Sequence, residues 1–145
     1  MRDPDSFDAL IVGAGQAGPA IAARCSREGL RTAIVERQHF GGTCVNTGCM
    51  PTKTLVASAR AIALARRGVD FGFDLPGGLH VDMPRVMARK EAIVQASRAN
   101  VEAWMRGLAN TEVIRGDARF VDRGVLQVGA RQLRAPRIFL NVGGR

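Results

Sequence analysis

The chain has 145 residues, of which 46% are hydrophobic and 23% charged, and its formal net charge is +8. This length fits one domain, and the apolar fraction is enough for a hydrophobic core, which excludes a disordered chain. No apolar run reaches the length of a membrane-spanning helix, and the N-terminus lacks the pattern of a signal peptide. The expected location is therefore cytoplasmic.

The basic residues are nearly all arginine and are scattered along the chain. Of the 21 basic residues only Lys53 and Lys90 are lysine, and no basic block is longer than Arg66-Arg67. A nucleic-acid-binding protein usually concentrates its charge and places stacking aromatic residues among it. The pattern favours solvated helix faces, so we expect neither a nucleic acid nor a membrane as partner.

The start of the chain predicts a β-α-β unit. Residues 7–12 form a short apolar run that is typical of a buried strand. A glycine-rich turn over residues 13–18 follows, then a helix over residues 20–27 that a glycine ends. Residues 31–36 read as the second strand.

Three glycines in that turn fit the pattern G-x-G-x-x-G, and their context between a strand and a helix strengthens the signal. Gly13 would allow the tight turn, Gly15 the close approach of a pyrophosphate, and Gly18 the close packing of helix on strand. Glu36 ends the second strand, where its carboxylate can accept hydrogen bonds from both hydroxyls of an adenosine ribose and would repel a 2′-phosphate. The alternative is a surface turn followed by a solvated glutamate.

The middle and the end of the chain predict two long helices and a set of short strands. Residues 41–53 form a turn that runs into a helix continuing to about residue 67. A loop over residues 68–79 precedes the second helix, with Asp82 as its cap and Pro84 in its first turn. Four further strands are predicted, at residues 111–115, 118–121, 125–128 and 137–142.

Helical spacing predicts which side chains of the long helices face the core. On the first helix these are Leu55, Val56, Ala59, Ile62 and Ala63. On the second helix these are Val86, Ile93, Val101, Trp104 and Leu108, and Met105 is also expected to pack in the core.

Cys44 and Cys49 have a spacing that a regular helix cannot bridge. Residues five apart on an ideal helix have Cα atoms roughly 8–9 Å apart, beyond the ~7 Å limit for a disulfide. A disulfide therefore requires Cys44 to lie in a distorted first turn or before the helix, and Gly41, Gly42 and Gly48 supply the backbone freedom. The short loop and the helix N-terminus, which stabilises thiolates, favour a working dithiol over a structural disulfide.

Other interpretations of the cysteines remain open. The pair could be reduced bystanders or half of a zinc site, but no further cysteine lies nearby and His39 and His80 have no ligand spacing, so we expect no metal site. Cys25, in the first helix, is expected to be an inert core thiol.

The segment GGTCVNTGCMPTK, residues 41–53, resembles the active-site signature of the class I pyridine nucleotide-disulfide oxidoreductases, such as glutathione reductase, dihydrolipoamide dehydrogenase and mercuric reductase. The glycine motif and Glu36 stand where that family binds FAD. Residues 116–121 resemble the segment that meets the adenine, and residues 141–145 resemble the turn that returns to the FAD. The resemblance implies an α/β, Rossmann-like FAD-binding domain, incomplete here, with a parallel sheet, helices and a small antiparallel β-meander.

The resemblance also implies residue roles. The catalytic residues would be Cys49, the charge-transfer thiol beside the isoalloxazine ring, Cys44, the interchange thiol, and Lys53, near flavin N5, where a cation stabilises the negative charge of the reduced flavin. The residues expected to bind FAD are Gly13, Gly15, Gly18, Glu36, Arg37, Gly42, Thr43, Lys53, Ala118 and Gly143.

The implied activity passes electrons from NAD(P)H through FAD to a Cys44–Cys49 disulfide and on to a disulfide or metal-ion substrate. Family members are much longer, so we expect residues 1–145 to be the N-terminal portion of a discontinuous FAD-binding domain, without the NAD(P)H and dimerisation domains. Such a fragment is expected to be inactive alone, and a homodimer is expected only with the C-terminal domain. The alternatives are an FAD-binding remnant without turnover and, more weakly, a basic nucleic-acid-associated protein.

Overall fold

The computed structural model describes residues 3–144, and its helices and strands form an α/β architecture. The strands are β1 (Asp5–Ser6), β2 (Ala9–Val12), β3 (Thr32–Glu36), β4 (Thr111–Arg115), β5 (Ala118–Asp122), β6 (Val125–Val128), β7 (Arg131–Arg134) and β8 (Ile138–Leu140). The helices are α1 (Ala17–Arg27), α2 (Gly42–Asn46), α3 (Cys49–Arg66) and α4 (Met83–Arg106), with a 3₁₀ turn at Gly68–Phe71. None of the described helices combines the length and the apolar character needed to cross a membrane.

A parallel sheet in the order β4-β3-β2-β8 forms the centre of the molecule. Ile11 on β2 lies opposite Ile34 on β3 and Phe139 on β8. Ile11 and Ile34 are fully buried, as expected of a parallel strand that is covered on both faces. Because the four strands run the same way, their carboxyl ends meet at one edge, which is where ligands bind in open α/β sheets.

The second sheet has the order β1-β7-β6-β5. Strands β5, β6 and β7 are antiparallel, and β1 pairs with β7 in parallel. The predicted β-meander is thereby confirmed. The sequence did not indicate β7, because Leu133 is the only apolar residue in its four positions, although that side chain is completely buried.

Two hydrophobic clusters hold the layers together. The cluster between the two sheets consists of Phe7, Leu10, Ala33, Val35, Ile114, Leu126, Val128, Leu133 and Ala135. The cluster between the parallel sheet and helices α1 and α4 consists of Ile11, Ala14, Ala22, Ile34, Phe40 and Met105. The parallel sheet is therefore covered by helices on one face and by the second sheet on the other.

The predicted helix α4 begins where its cap indicated, since the Asp82 Oδ1 atom accepts a hydrogen bond of 3.0 Å from the Arg85 N–H. The core position of Met105 is confirmed, because its side chain is completely buried. The same expectation for Trp104 was wrong, because Trp104 is 50% exposed. Side chains at neighbouring positions of a helix point about 100° apart, so Trp104 points away from the sheet when Met105 faces it.

The predicted inner face of α3 was partly wrong. Val56, Ala59 and Ala63 are exposed, whereas Leu55 and Ile62 are half-buried and Thr54 is buried. Among the described elements, α3 packs mainly against α4. A narrow stripe of side chains along α3 is therefore enough to form this contact. Helix α1 begins at Ala17, three residues before the predicted start.

Candidate functional site

The glycine loop after β2 has a shape that excludes side chains at two positions. Gly13 has φ +99°, and its N–H donates to the Val35 carbonyl at 2.7 Å. A Cβ at Gly13 would lie 2.2 Å from the carbonyl oxygen of Asn141, and a Cβ at Gly18 would lie 2.1 Å from the carbonyl oxygen of Gly13. Strand, loop and helix therefore meet at van der Waals distance through their backbones.

Helix α1 presents an uncapped N-terminus to this edge of the sheet. Gln16, the residue before α1, makes no side-chain cap, and the first turn of the helix carries no acidic residue. The side chain of Gln16 instead donates to the Gly41 carbonyl at 3.1 Å. The free N–H groups and the partial positive charge of the first turn suit a phosphate group.

Glu36 lies at the end of β3 and faces the glycine loop. Its Oε2 atom accepts a hydrogen bond of 2.8 Å from the Ala14 N–H, and its Oε1 atom accepts one of 2.8 Å from the Gln38 N–H. Each carboxylate oxygen can accept a second hydrogen bond. The half-buried side chain therefore keeps the capacity to bind two hydroxyl groups.

Arg37 and Ala118 lie beside Glu36 at the same edge. The Gly116 N–H donates to the Glu36 carbonyl at 3.1 Å, and this bond brings the start of β5 to the end of β3. The Arg37 guanidinium lies 4.0 Å from the Asp117 carboxylate, with both side chains exposed. Ala118 is half-buried next to them.

The segment after β8 approaches the same loop. The Asn141 N–H donates to the Val12 carbonyl at 2.8 Å, and its side-chain amide donates to the Gly13 carbonyl at 3.4 Å. Gly143 follows with φ +78° and is exposed. The structure thus brings the segment after β8 to the glycine loop.

The cysteine segment is divided into two helices. Cys44 lies within α2, and Cys49 is the first residue of α3. The turn expected before the long helix thus contains a short helix of its own, which ends before Thr47 and Gly48. The Gly48 N–H donates to the Thr43 carbonyl at 2.7 Å, and a Cβ at Gly48 would lie 3.1 Å from that carbonyl oxygen. The interruption places Cys44 before the long helix, as the spacing of the two cysteines required.

The two thiols of this segment influence each other. Cys44 and Cys49 are both free thiols. Hydrogen bonding with the Cys49 side chain, partial loss of hydration and the charge of Cys49 raise the pKa of the Cys44 thiol above its ordinary value. The Cys49 backbone N–H and the Lys53 ammonium lower the same pKa by smaller amounts.

The cysteine segment packs directly on the glycine loop. The Gly41 N–H donates to the Ala14 carbonyl at 2.8 Å, and a Cβ at Gly42 would lie 2.7 Å from the Cα of Gly15. Thr43 is exposed beside them. Lys53 is also exposed, one helical turn beyond Cys49 on α3. The glycine loop and the dithiol are therefore parts of one site.

Sequence reasoning gave no role to three residues at the site. Asn46 donates to the carbonyls of Phe40 and Gly42 at 3.0 and 2.7 Å, and Arg98 on α4 donates to the Asn46 side-chain oxygen. Asn141 contacts the glycine loop. The polar residue inside the cysteine segment was a usable signal for Asn46, but nothing local connects Arg98 to it across 52 positions.

The residues at this edge fit a dinucleotide. The glycine loop carries no side chains at Gly13, Gly15 and Gly18, the α1 N-terminus is uncapped, and the Glu36 carboxylate can still accept bonds. Among residues 3–144, no three His, Cys, Asp or Glu side chains come close enough together to hold a metal ion.

Comparison with known proteins finds related sequences. Residues 7–145 match the sequence profile of the pyridine nucleotide-disulphide oxidoreductases. The dihydrolipoyl dehydrogenase of Rhizobium etli is 39% identical over 86% of this chain and 26% of that protein. The mercuric reductase of Lysinibacillus sphaericus is 32% identical over 99% of this chain and 26% of that protein.

A solved structure has the same fold. The HOCl-induced flavoprotein disulfide reductase RclA of Escherichia coli superposes with a TM-score of 0.77 at 31% identity, over 96% of this chain and 28% of that chain. The chain thus spans little more than a quarter of the length of these relatives. It belongs to the pyridine nucleotide-disulphide oxidoreductase family, which uses FAD with NAD(P)H as electron donor.

Proposed function

We propose that this chain is the FAD-binding part of an oxidoreductase that uses NAD(P)H to reduce a disulfide or a soft metal ion, with Cys44 and Cys49 as its working dithiol. The observation that carries the proposal is the position of the two thiols on either side of the break between α2 and α3, on a segment packed against the glycine loop. A disulfide with a purely structural role would not need to lie beside the glycine loop.

The residues proposed to hold FAD follow the edge of the sheet. Glu36 would accept from the ribose hydroxyls, and the α1 N-terminus would bind the pyrophosphate. The other proposed contacts are Gly13, Gly15, Gly18, Arg37, Gly42, Thr43, Lys53, Ala118 and Gly143. Bound FAD would supply the two-electron chemistry that links NAD(P)H to a disulfide.

The dithiol has the groups for reducing a disulfide substrate by exchange. The Cys44 thiolate attacks one substrate sulfur, the substrate S–S bond breaks, and the released half takes a proton. The Cys49 thiolate then attacks the Cys44 sulfur of the mixed disulfide, and the second half leaves as a thiol. Two thiols are thereby oxidised to one disulfide while the substrate gains two electrons and two protons.

Lys53 is proposed to assist this chemistry through its charge. Its ammonium lowers the pKa of the Cys44 thiol and so favours the attacking thiolate, against the stronger effect of Cys49. Removing Lys53 should therefore slow the reaction of Cys44 without removing the dithiol.

Two substrate classes suit the pair. Thiolates are soft ligands for soft metal ions, and similarity to a mercuric reductase supports that class. Similarity to dihydrolipoyl dehydrogenase and to a flavoprotein disulfide reductase supports a disulfide.

Spectroscopy of the purified chain with added FAD tests the proposal. We expect a flavin spectrum that gains a long-wavelength thiolate band on two-electron reduction, and we expect Cys49→Ser to lose that band while Cys25→Ala keeps it. A chain that binds no flavin, or a band that persists in Cys49→Ser, would contradict the proposal. Flavin binding without a thiolate band would support the FAD-binding remnant instead.

A further inference from the structure

Helix α4 contacts the cysteine segment on both sides of its break. Arg98 donates to the Asn46 side-chain oxygen in α2. Arg89, further toward the start of α4, donates to the Thr54 carbonyl at 3.1 Å and to the Ser58 hydroxyl at 3.2 Å, both in α3. One helix thus holds the two helices that carry the cysteines.

Asn46 links Arg98 to the backbone around Cys44. Its side-chain N–H groups donate to the carbonyls of Phe40 and Gly42. Asn46 and Arg98 are both half-buried, which limits competition from water. Hydrogen bonds from a charged donor are roughly twice as strong as those between neutral groups. The position of Asn46 in α2 therefore depends on Arg98.

Arg98 is itself held by the core. It lies on the same face of α4 as Val94 and Met105, at helical spacing, and those two side chains are almost completely buried. A rotation of α4 that moved Arg98 would expose both. The packing of α4 thus fixes the position of Arg98, and Arg98 in turn holds α2 through Asn46.

We propose that Arg98 is a positioning residue for the dithiol, acting through Asn46 to keep the Cys44 sulfur within bonding reach of Cys49. The inference deepens the proposed function, since it concerns how the dithiol forms its disulfide. Without Arg98, α2 loses its hydrogen bond to α4 while α3 keeps the contacts of Arg89. The two sulfurs then meet less often, so the disulfide becomes less stable relative to the dithiol.

The test is the equilibrium of the Cys44–Cys49 pair with glutathione redox buffers, read by alkylation and mass spectrometry on the purified chain. Loss of the charged hydrogen bond in Arg98→Gln should lower the equilibrium constant for disulfide formation about three- to tenfold. Arg98→Lys keeps a donor and should recover part of the loss. Arg85→Gln, an exposed position on the same helix, should leave the constant unchanged.

A second variant tests the route through Asn46. Asn46→Asp keeps an acceptor for Arg98 but loses the N–H groups that bind Phe40 and Gly42, so it should lower the equilibrium constant as well. If Arg98 acts through Asn46, combining Asn46→Asp with Arg98→Gln should add little to the larger single effect. Additive losses would overturn that route.

The pH dependence of Cys44 alkylation gives an independent readout. Separation of the sulfurs weakens the hydrogen bond with Cys49 that raises the pKa of Cys44. Alkylation in Arg98→Gln should therefore reach half its maximal rate at lower pH than in the wild type, whereas Arg85→Gln should leave this midpoint unchanged.

The outcomes separate this inference from the proposed function. A wild-type chain that forms no Cys44–Cys49 disulfide would contradict the proposed function. A wild-type disulfide whose equilibrium and alkylation midpoint are unchanged in Arg98→Gln would overturn the role of Arg98 alone. If Arg98→Gln does not fold, unchanged values in Arg98→Lys and Asn46→Asp would overturn it equally.

Discussion

The backbone of Gly18 lies against the carbonyl oxygen of Gly13, so closely that a Cβ at position 18 would be 2.1 Å from that oxygen. This contact joins the first turn of α1 to the end of β2. Asn141 closes the other side of the loop, where its carbonyl oxygen would be 2.2 Å from a Cβ at Gly13. The loop is therefore shaped by backbone contacts within the chain, without need of a ligand.

We predict that Gly18→Ala is strongly destabilising. The added methyl forces α1 away from β2, and overpacking of this kind lowers the free energy of unfolding by about 1–3 kcal/mol. Urea denaturation measures the loss, and a flavin titration should show weaker binding because the α1 N-terminus moves. Gly77→Ala is the control: a Cβ there meets no atom within 4 Å, and its stability should match the wild type. If Gly18→Ala were as stable as the wild type, Gly18 could not lie so close to the carbonyl oxygen of Gly13.

The ion pairs of Glu102 should make the stability of the protein depend on pH. Its carboxylate is hydrogen-bonded to Arg115 on β4 and to Arg106 on its own helix, and these bonds, that of Arg115 first, hold the pKa of Glu102 below its ordinary value. A lowered folded-state pKa stabilises the protein fully above the unfolded value of about 4.3. The contribution is lost as the pH falls through the lower folded value.

Glu102→Gln should therefore flatten the stability curve between about pH 5 and pH 3, by no more than about 1 kcal/mol because the ion pair is partly solvated. Urea unfolding at several pH values measures the slope. Arg115→Gln, which removes the larger cause, should flatten it as well, and the exposed Arg123→Gln should not. An unchanged slope in Glu102→Gln would show that the ion pair contributes nothing.

Local sequence patterns predicted much of this fold because the structure that each pattern forms depends on residues close to it in the chain. The glycine turn, Glu36 and the Asp82 cap each lie within a few residues of the element they define. A disulfide between Cys44 and Cys49 requires a break in the helix, and the structure has one. Here the sequence was informative because a regular helix keeps cysteines five residues apart too distant for a disulfide.

Contacts between distant segments could not be predicted in the same way. Trp104 and Met105 both suit a core, and only the orientation of α4 on the sheet decides that Met105 is buried. Arg98 meets Asn46 because α4 packs beside α2, a relation that neither residue's neighbours encode. The three-dimensional arrangement decides such contacts, since many packings satisfy the same local pattern.

Glu36 is predicted to affect both the fold and the flavin. In Glu36→Gln one carboxylate oxygen becomes an NH₂ group that faces the N–H of Ala14 or of Gln38, so one hydrogen bond is lost and stability should fall by about 1–2 kcal/mol. Weaker acceptance from the ribose hydroxyls should also reduce FAD affinity by roughly tenfold. Flavin fluorescence titration measures the affinity. Glu28→Gln, an exposed position near α1, should leave the affinity unchanged, and equal affinities in both variants would argue against a ribose contact.

The Cys44 thiol should respond in opposite directions to the loss of its two neighbours. Cys49→Ala removes the hydrogen bond and the charge that raise the pKa of Cys44, so Cys44 should be alkylated with a midpoint at lower pH. Lys53→Met removes a charge that lowers the same pKa, so the midpoint should move to higher pH. Site-resolved mass spectrometry follows Cys44 separately from Cys25 and Cys49.

The opposite signs distinguish this arrangement from a general gain in exposure, which would move the midpoint to lower pH in both variants because loss of hydration helps to raise the pKa of Cys44. Arg60→Met, an exposed cation further along α3, controls for loss of a positive charge and should leave the midpoint in place. Shifts in the same direction for Cys49→Ala and Lys53→Met would mean that Cys44 does not lie between a thiol and an ammonium, and the dithiol site would lose its electrostatic basis.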